Sequence, residues 1–335
     1  MLSQGEKYMK ATYKALYLIL AIALIASFLL SACGAASQKK IYKIGVVNLA
    51  PPLEPILEGF KAGMEEAGYV EGQDITYIYD GPAANPDALN GVLDNLKNEK
   101  VDLVLTFGTL ATLTAKESLA GTDIPIIFGP VTDPVASGIV ADVLNPGGNI
   151  TGIQTGNPTP KRLEWLLKFD PEIKRLYTFN NPEDNSSVQA LEALKQTAPI
   201  FNVELVIRDT STPEEIAVAL NEMPEDIDAI FLPASAFFER NNNQFVKFAN
   251  EHKLSLAAPA TANVRDGALT SFGHDNVPLG QQASHLADQI LRGTKPADLP
   301  VESADLFVSI NLKTAEIIGL NIPDEIIRQA NVIVR

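Results

Sequence analysis

Cysteine is almost absent from this chain. Of 335 residues only Cys33 carries a thiol, so no disulfide can form within it. Histidine is nearly as scarce, with three copies at positions 252, 274 and 285. A hydrolase triad needs a histidine beside its nucleophile. His252 and His285 fall in helical patterns, and no Gly-x-Ser-x-Gly nucleophile elbow accompanies His274-Asp275. Captured metals need several converging ligands, which three scattered histidines without a His-rich loop do not offer. No Walker loop and no Gly-x-Gly-x-x-Gly follows a strand pattern. Neither an enzyme, a metal site nor a cofactor is therefore expected. Basic residues are outnumbered, 26 against 41 acidic, which argues against nucleic acid and against direct adhesion to an anionic membrane.

Long apolar runs are missing after residue 30, and the one that exists is informative. Lys7, Lys10 and Lys14 precede a 16-residue run from Ala15 to Leu30, followed by Ser31-Ala32-Cys33. A basic start, a short apolar stretch and small residues before a cut site make a secretory signal. The run is shorter than the roughly 20 apolar residues of a membrane-spanning helix. Leu30-Ser31-Ala32-Cys33 resembles the bacterial lipobox, which implies that the Cys33 thiol is acylated and that residues 1–32 are removed. The alternative is an ordinary signal with an incidental buried cysteine. Residues 33–40 would then be a small, polar linker holding the protein at the membrane. Removing the net +2 of Lys7, Lys10, Lys14 and Glu6 from −15 leaves −17 for the rest of the chain. With no second membrane span, transport would need a separate membrane partner.

From residue 41 onward β-rich runs alternate with helical patterns. The pattern predicts strands over 42–49, 75–79, 101–107 and 124–128, with helices over 56–67, 86–99 and 110–119. This βαβα rhythm implies a parallel sheet with helices on both faces. It breaks at Asn145-Pro146-Gly147-Gly148-Asn149-Ile150-Thr151-Gly152, where paired glycines suit a turn or a crossing between lobes. A second series follows, with strands over 175–179, 203–208, 229–233, 255–259 and 268–272. Its helices are predicted over 160–169, 186–198, 213–223 and 237–252.

Several segments, in order, resemble those of a known family: the lipobox, Ile124-Pro125-Ile126-Ile127-Phe128, Val131-Thr132-Asp133-Pro134, Pro146-Gly147-Gly148-Asn149-Ile150-Thr151-Gly152, and Ile310-Asn311 before Ala315 and Gly319-Leu320. The chain is similar to ABC-transporter substrate-binding lipoproteins whose better-known members bind tryptophan or tyrosine. That resemblance implies an α/β fold of type I periplasmic-binding-protein type, two doubly wound parallel-sheet lobes joined by a three-stranded hinge. Crossings would fall near Gly152, Gly273 and Val308. One lobe would take residues 41–152 and 275–307, the other 153–274 and 308–335. It also implies an extracytoplasmic, lipid-anchored protein that delivers a small ligand to a permease and ATPase encoded separately. A ligand-sensing lipoprotein that signals to a membrane partner is the alternative output.

In such sheets ligands bind beyond the carboxyl ends of strands, beside helix N-termini. The candidate loops start with Leu49-Ala50 and Gly108-Thr109, where free N–H groups suit a carboxylate and Thr109 suits a cap, a ligand contact or both. Thr132-Asp133 follows the next strand; Asp133 either meets a ligand ammonium or caps the turn into Pro134. In the second series the candidates are Asn181, Asn185, Ser186 and Ser187, then Ser235 and Phe237, whose ring (or that of Phe238) could stack on an aromatic ligand. Asp275, at the expected hinge, is preferred over Asp133 as the ammonium partner. The sequence departs from the family's habit at Ser235-Ala236, where relatives often carry an acidic–amide pair, and at Ala50-Pro51-Pro52, where their loop is usually more polar. Both positions are candidate pocket walls, so the aromatic preference is not carried over. The expected ligand is an amino acid or a related small polar molecule.

Overall fold

A computed structural model describes residues 40–335; the expected signal, Cys33 and nearly all of the linker lie outside the described residues. Tyr42–Arg335 forms one compact unit. Its first sheet contains β1 (Tyr42–Asn48), β2 (Ile75–Ile78), β3 (Leu103–Phe107), β4 (Ile126–Val131), β5 (Ile150–Gln154) and β11 (Glu302–Ser303). Their spatial order is β11-β5-β4-β3-β1-β2, all parallel. The second sheet contains β6 (Arg175–Asn180), β7 (Glu204–Asp209), β8 (Ala229–Phe231), β9 (Ser255–Ala258), β10 (Thr270–Gly273), β12 (Phe307–Asn311) and β13 (Val332–Val334). Their order is β13-β12-β10-β9-β8-β6-β7, and only the β10–β12 pair is antiparallel.

Helices cover both faces of each sheet, which is why the strands read as unbroken apolar runs. All five residues of β3 are buried. Alternate strand residues serve opposite faces. Ile44, Val46, Leu103 and Leu105 pack with Phe60 and Leu286 of helices α1 (Glu54–Glu66) and α10 (Asn276–Leu291). Val47, Val104 and Ile126 pack with Leu93 and Ala111 of α2 (Ala88–Glu99) and α3 (Thr109–Ser118). In the second lobe, α4 (Thr159–Phe169) and α5 (Asn185–Thr197) bury Leu163, Leu166 and Leu194 on one face. The other face is covered by α6 (Pro213–Asn221) and α8 (Asn242–His252) through Ile216, Leu220 and Phe245. The α1–α10 contact is very close: a Cβ at Gly280 would lie 2.0 Å from the Ile56 carbonyl oxygen, a separation no side chain can occupy.

The chain passes between the lobes three times, at 155–158, 274–275 and 304–306. The glycine-rich run is therefore not itself a crossing. Gly147 and Gly148 form a turn with φ of 73° and 64°. Ile150 then starts β5, which lies inside the first sheet between β4 and β11. Gly152 belongs to that strand, where an added Cβ would meet the Phe128 backbone at 2.3 Å. The helix expected over 237–252 is split into α7 (Ala236–Arg240) and α8, because Asn241 leaves helical geometry and turns its amide onto the Phe237 carbonyl. The short helices α9 (Thr261–Arg265), α11 (Leu312–Ile318) and α12 (Asp324–Ile327) complete the second lobe. Among the described residues no helix is long and apolar enough to cross a membrane.

Candidate functional site

The carboxyl ends of both sheets face one another, and the loops that leave them enclose a cavity of about 200 Å³. The first lobe contributes Leu49 and Leu53 after β1, Gly108, Thr109 and Leu110 after β3, and Pro130 and Thr132 at the end of β4. The second lobe contributes Arg162 from the first turns of α4, Asn181, Glu183, Asp184 and Ser186 after β6, Ser235, Ala236, Phe237, Glu239 and Arg240 after β8, and His274 after β10. Leucines, prolines and Phe237 supply the apolar part of the wall, and a larger set of polar and charged side chains converges on it from both lobes.

Direct bonds close the lobes over this space. Gly108 takes φ 89° as the residue before α3, so Thr109 becomes the first helical residue rather than the cap. Its hydroxyl instead meets Ser186 Oγ of the other lobe at 2.6 Å. On another rim Arg240 donates to the carbonyls of Ala84 at 2.8 Å and Ala83 at 3.0 Å. The Ser186 side is itself braced. Asp184 caps α5 by accepting from the Ser186 N–H at 2.9 Å, and its second oxygen accepts from the Ser235 hydroxyl at 2.6 Å. Ser235 in turn caps α7, accepting from the Phe237 N–H at 3.2 Å. Two neighbouring strand loops are thereby locked into one surface.

Of the residues expected in the site, Leu49, Gly108, Thr109, Thr132, Asn181, Ser186, Ser235 and Phe237 line the cavity. The others stand elsewhere. Asp275 is held by both guanidinium nitrogens of Arg265, at 3.0 and 2.6 Å, and does not line the cavity, which corrects its role as ammonium partner. Asp133 accepts from the Val135 and Ala136 N–H groups at 3.0 and 2.9 Å and borders a separate shallow depression, so turn capping is its role. Ser187 is fully buried, accepting from the Asn181 N–H and donating to Asn180. Asn185 is exposed at the start of α5, and Ala50 is buried behind Leu49 in the turn that leaves β1.

Several charged or titratable residues of the wall were not among the expected site residues, Arg162, Glu239, Asp184 and His274 among them. Arg162 is wholly buried; one guanidinium nitrogen donates to the Leu232 carbonyl at 2.9 Å, and the group lies 5.1 Å from the centre of the Phe231 ring. Burial lowers its pKa to about 9, against the opposing pull of Glu239, so it remains a cation at neutral pH. Glu239 is buried on α7; loss of solvent pushes it up to about 7, Arg162 opposing and Asp184 reinforcing. Burial also raises Asp184, against the hydrogen bonds from Ser235 and the α5 backbone. His274 is pushed down to about 4 by burial, and its Nε2 has no partner among the described residues. One signal was available for Arg162: it shares the buried stripe of α4 with Trp165, Leu166 and Phe169, where a cation is out of place.

Comparison with known proteins agrees with this geometry. The family model described as ABC transporter substrate binding protein matches residues 43–334. A tyrosine-binding protein of Clostridioides difficile is 30% identical over 271 residues, covering 80% of this chain and 78% of that one. The crystal structure of an ABC domain in complex with L-Trp from Streptococcus pneumonia superposes with a TM-score of 0.81 at 27% identity, covering 88% of this chain and 100% of that one. A ligand-free, open substrate binding protein with adhesive properties from Clostridium difficile gives 0.66 at 25% identity, covering 88% and 99%. The better agreement with the ligand-bound form accords with the direct bonds between the lobes.

Proposed function

This chain belongs to the ABC transporter substrate-binding protein family, and from that premise we propose that it captures a free α-amino acid with a bulky apolar or aromatic side chain. Substrate-binding proteins of ABC importers work outside the cytoplasmic membrane and bind small solutes with a two-lobed α/β fold. The observation that carries the ligand class is the interlobe cavity. Its volume of about 200 Å³ is below the roughly 300 to 1,000 Å³ of drug-sized pockets, so the occupant is small. Leu49, Leu53, Leu110 and Phe237 suit an apolar side chain, while Arg162, Glu239 and Asp184 suit a molecule that carries both charges. The tyrosine-binding relative and the L-Trp complex support the same class.

Mechanistically the ligand enters between parted lobes and stabilises the closed state by touching both. Only contacts better made in the closed form shift that equilibrium. Thr109–Ser186 and the Arg240 bonds already hold the closed form together, so the ligand adds to a latch rather than creating one. The closed protein then presents itself to a permease and ATPase encoded separately. The reading is of a carrier rather than an enzyme, supported by the solute-binding proteins it resembles. Cys33 is read as the lipid anchor, and Cys33→Ser should move the protein from the membrane fraction to the soluble fraction without changing its ligand affinity.

A thermal-shift screen tests the ligand class, because a ligand that binds only the native state raises stability, by about 2.7 kcal/mol at a hundredfold excess over Kd. Apolar and aromatic L-amino acids should raise the melting temperature. A response confined to sugars, polyols or nucleosides would overturn the reading.

A further inference from the structure

The buried Arg162 leaves one edge of its guanidinium without a partner. Arginine carries five N–H donors in a planar fork. Here Nη1 donates to the Leu232 carbonyl, while Nε and Nη2 are buried and bonded to nothing among the described residues. The Nε–H and one Nη2–H lie in the guanidinium plane and point the same way along one edge, so together they make the two parallel donors that a carboxylate accepts side-on. Phe231 under the group and the Leu232 bond fix the plane, so the fork is set before anything arrives.

Glu239 lies in the same wall and acts on Arg162 through its charge, with no hydrogen bond between them among the described residues. Buried charges are ordinarily paired. A wholly buried cation that lines a cavity, with its fork idle and only the charge of Glu239 acting on it without a hydrogen bond, is set to receive an anionic group of a ligand. His274 Nε2, buried and idle in the same cavity wall, is a second polar group without a partner.

We infer that Arg162 is the specificity-determining anchor for the ligand's carboxylate, held bidentate on its Nε and Nη2 edge. This rests on the amino-acid reading above and sharpens it: the carboxylate is required, so amines and amides of the same side chain are rejected. The anchor belongs to the second lobe, at the start of α4 next to the 155–158 crossing, whereas Thr109 and Leu110 come down on the ligand from the first. The helix N-terminus at Gly108-Thr109, which the sequence favoured for a carboxylate, spends its hydroxyl on Ser186 instead.

The test compares L-tyrosine with tyramine and L-tryptophan with tryptamine, each pair differing by the carboxylate alone. Affinities are measured by calorimetry on the detergent-solubilised full chain, wild type and Arg162→Gln. The wild type should prefer the amino acid over its amine by at least about 100-fold, since a site built to bond a group rejects analogues that lack it. Arg162→Gln should abolish that preference, the acid losing far more affinity than the amine. An acid-to-amine ratio that survives the substitution, or equal losses for acid and amine, overturns the anchor. If Arg162→Gln does not melt cooperatively, Arg162→Lys decides by the same ratio, because lysine keeps the charge and removes the fork. A wild type that binds none of the apolar or aromatic amino acids of the thermal-shift screen overturns the functional reading and the anchor with it; binding in the wild type with an unchanged ratio in the variants overturns the anchor alone.

Discussion

Replacing Glu239 with glutamine should make the empty protein more stable, and increasingly so as the pH rises. The carboxyl sits on α7 with 7% of its surface exposed, and burial raises it from an ordinary value of 4.5 to about 7. Between those limits the unfolded chain has given up the proton while the native state keeps it. Unfolding therefore releases a proton, and stability falls as pH rises through the window, levelling off above about pH 7. At about 1.4 kcal/mol for each pH unit, the native state forfeits about 3 kcal/mol from this one group. Glutamine keeps the shape and cannot titrate. The difference in unfolding free energy, variant minus wild type, should thus grow by about 3 kcal/mol between about pH 4.5 and about pH 7 and then stay level. Urea melts at several pH values, extrapolated linearly to water, measure it directly. Taking the difference cancels the titrating groups that do not interact with Glu239; Asp184, whose charge raises Glu239, stays coupled to it. A difference that does not change with pH would refute the argument that burial holds the proton on Glu239.

His274→Gln should show the opposite slope. The imidazole is held neutral, at about 4 against an ordinary 6.5, so its cost appears as pH falls through that window. The variant should gain on the wild type by about 3 kcal/mol between about pH 6.5 and about pH 4, read from the same melts. Ser186→Ala removes the 2.6 Å bond to Thr109 and should loosen closure by about 1 kcal/mol, seen as roughly fivefold weaker ligand binding and a larger radius of gyration in the empty state. Gly280→Ala should destabilise the first lobe by about 1 to 3 kcal/mol, because the new methyl would lie 2.0 Å from the Ile56 oxygen and α1 must move off α10; an unchanged melting temperature would show that the helices are not in that contact.

The alternating strands and helices were legible because each strand is buried on both faces and each helix on one stripe, so pattern and burial coincide in Leu103–Phe107 and in Glu54–Glu66. Strand β5 escaped because paired glycines precede it and a third lies within it. Gly152 is in the strand because Phe128 leaves no room for a side chain, which is a property of packing that sequence spacing does not encode. The loops at strand ends led to most of the cavity wall, since topology alone places them there. The choice among carboxylates failed for a different reason. Asp275 and Asp133 already have partners, in Arg265 and in a local turn, and partners distant in sequence become visible only once the chain is folded. Arg162 and Glu239 escaped because a charged residue within a helical pattern is normally placed on the solvent side.

Neither lobe is a continuous piece of chain. The first sheet begins with residue 42 but takes its last strand from 302–303, and the second sheet is finished by residues 307–311 and 332–334. A chain made from its N-terminus therefore leaves an unpaired strand edge in the first sheet until residues 302–303 are added, and in the second until residues 332–334 are added. The same interleaving means that a stop codon before residue 302 leaves both sheets incomplete, and one between residues 304 and 332 leaves the second alone incomplete.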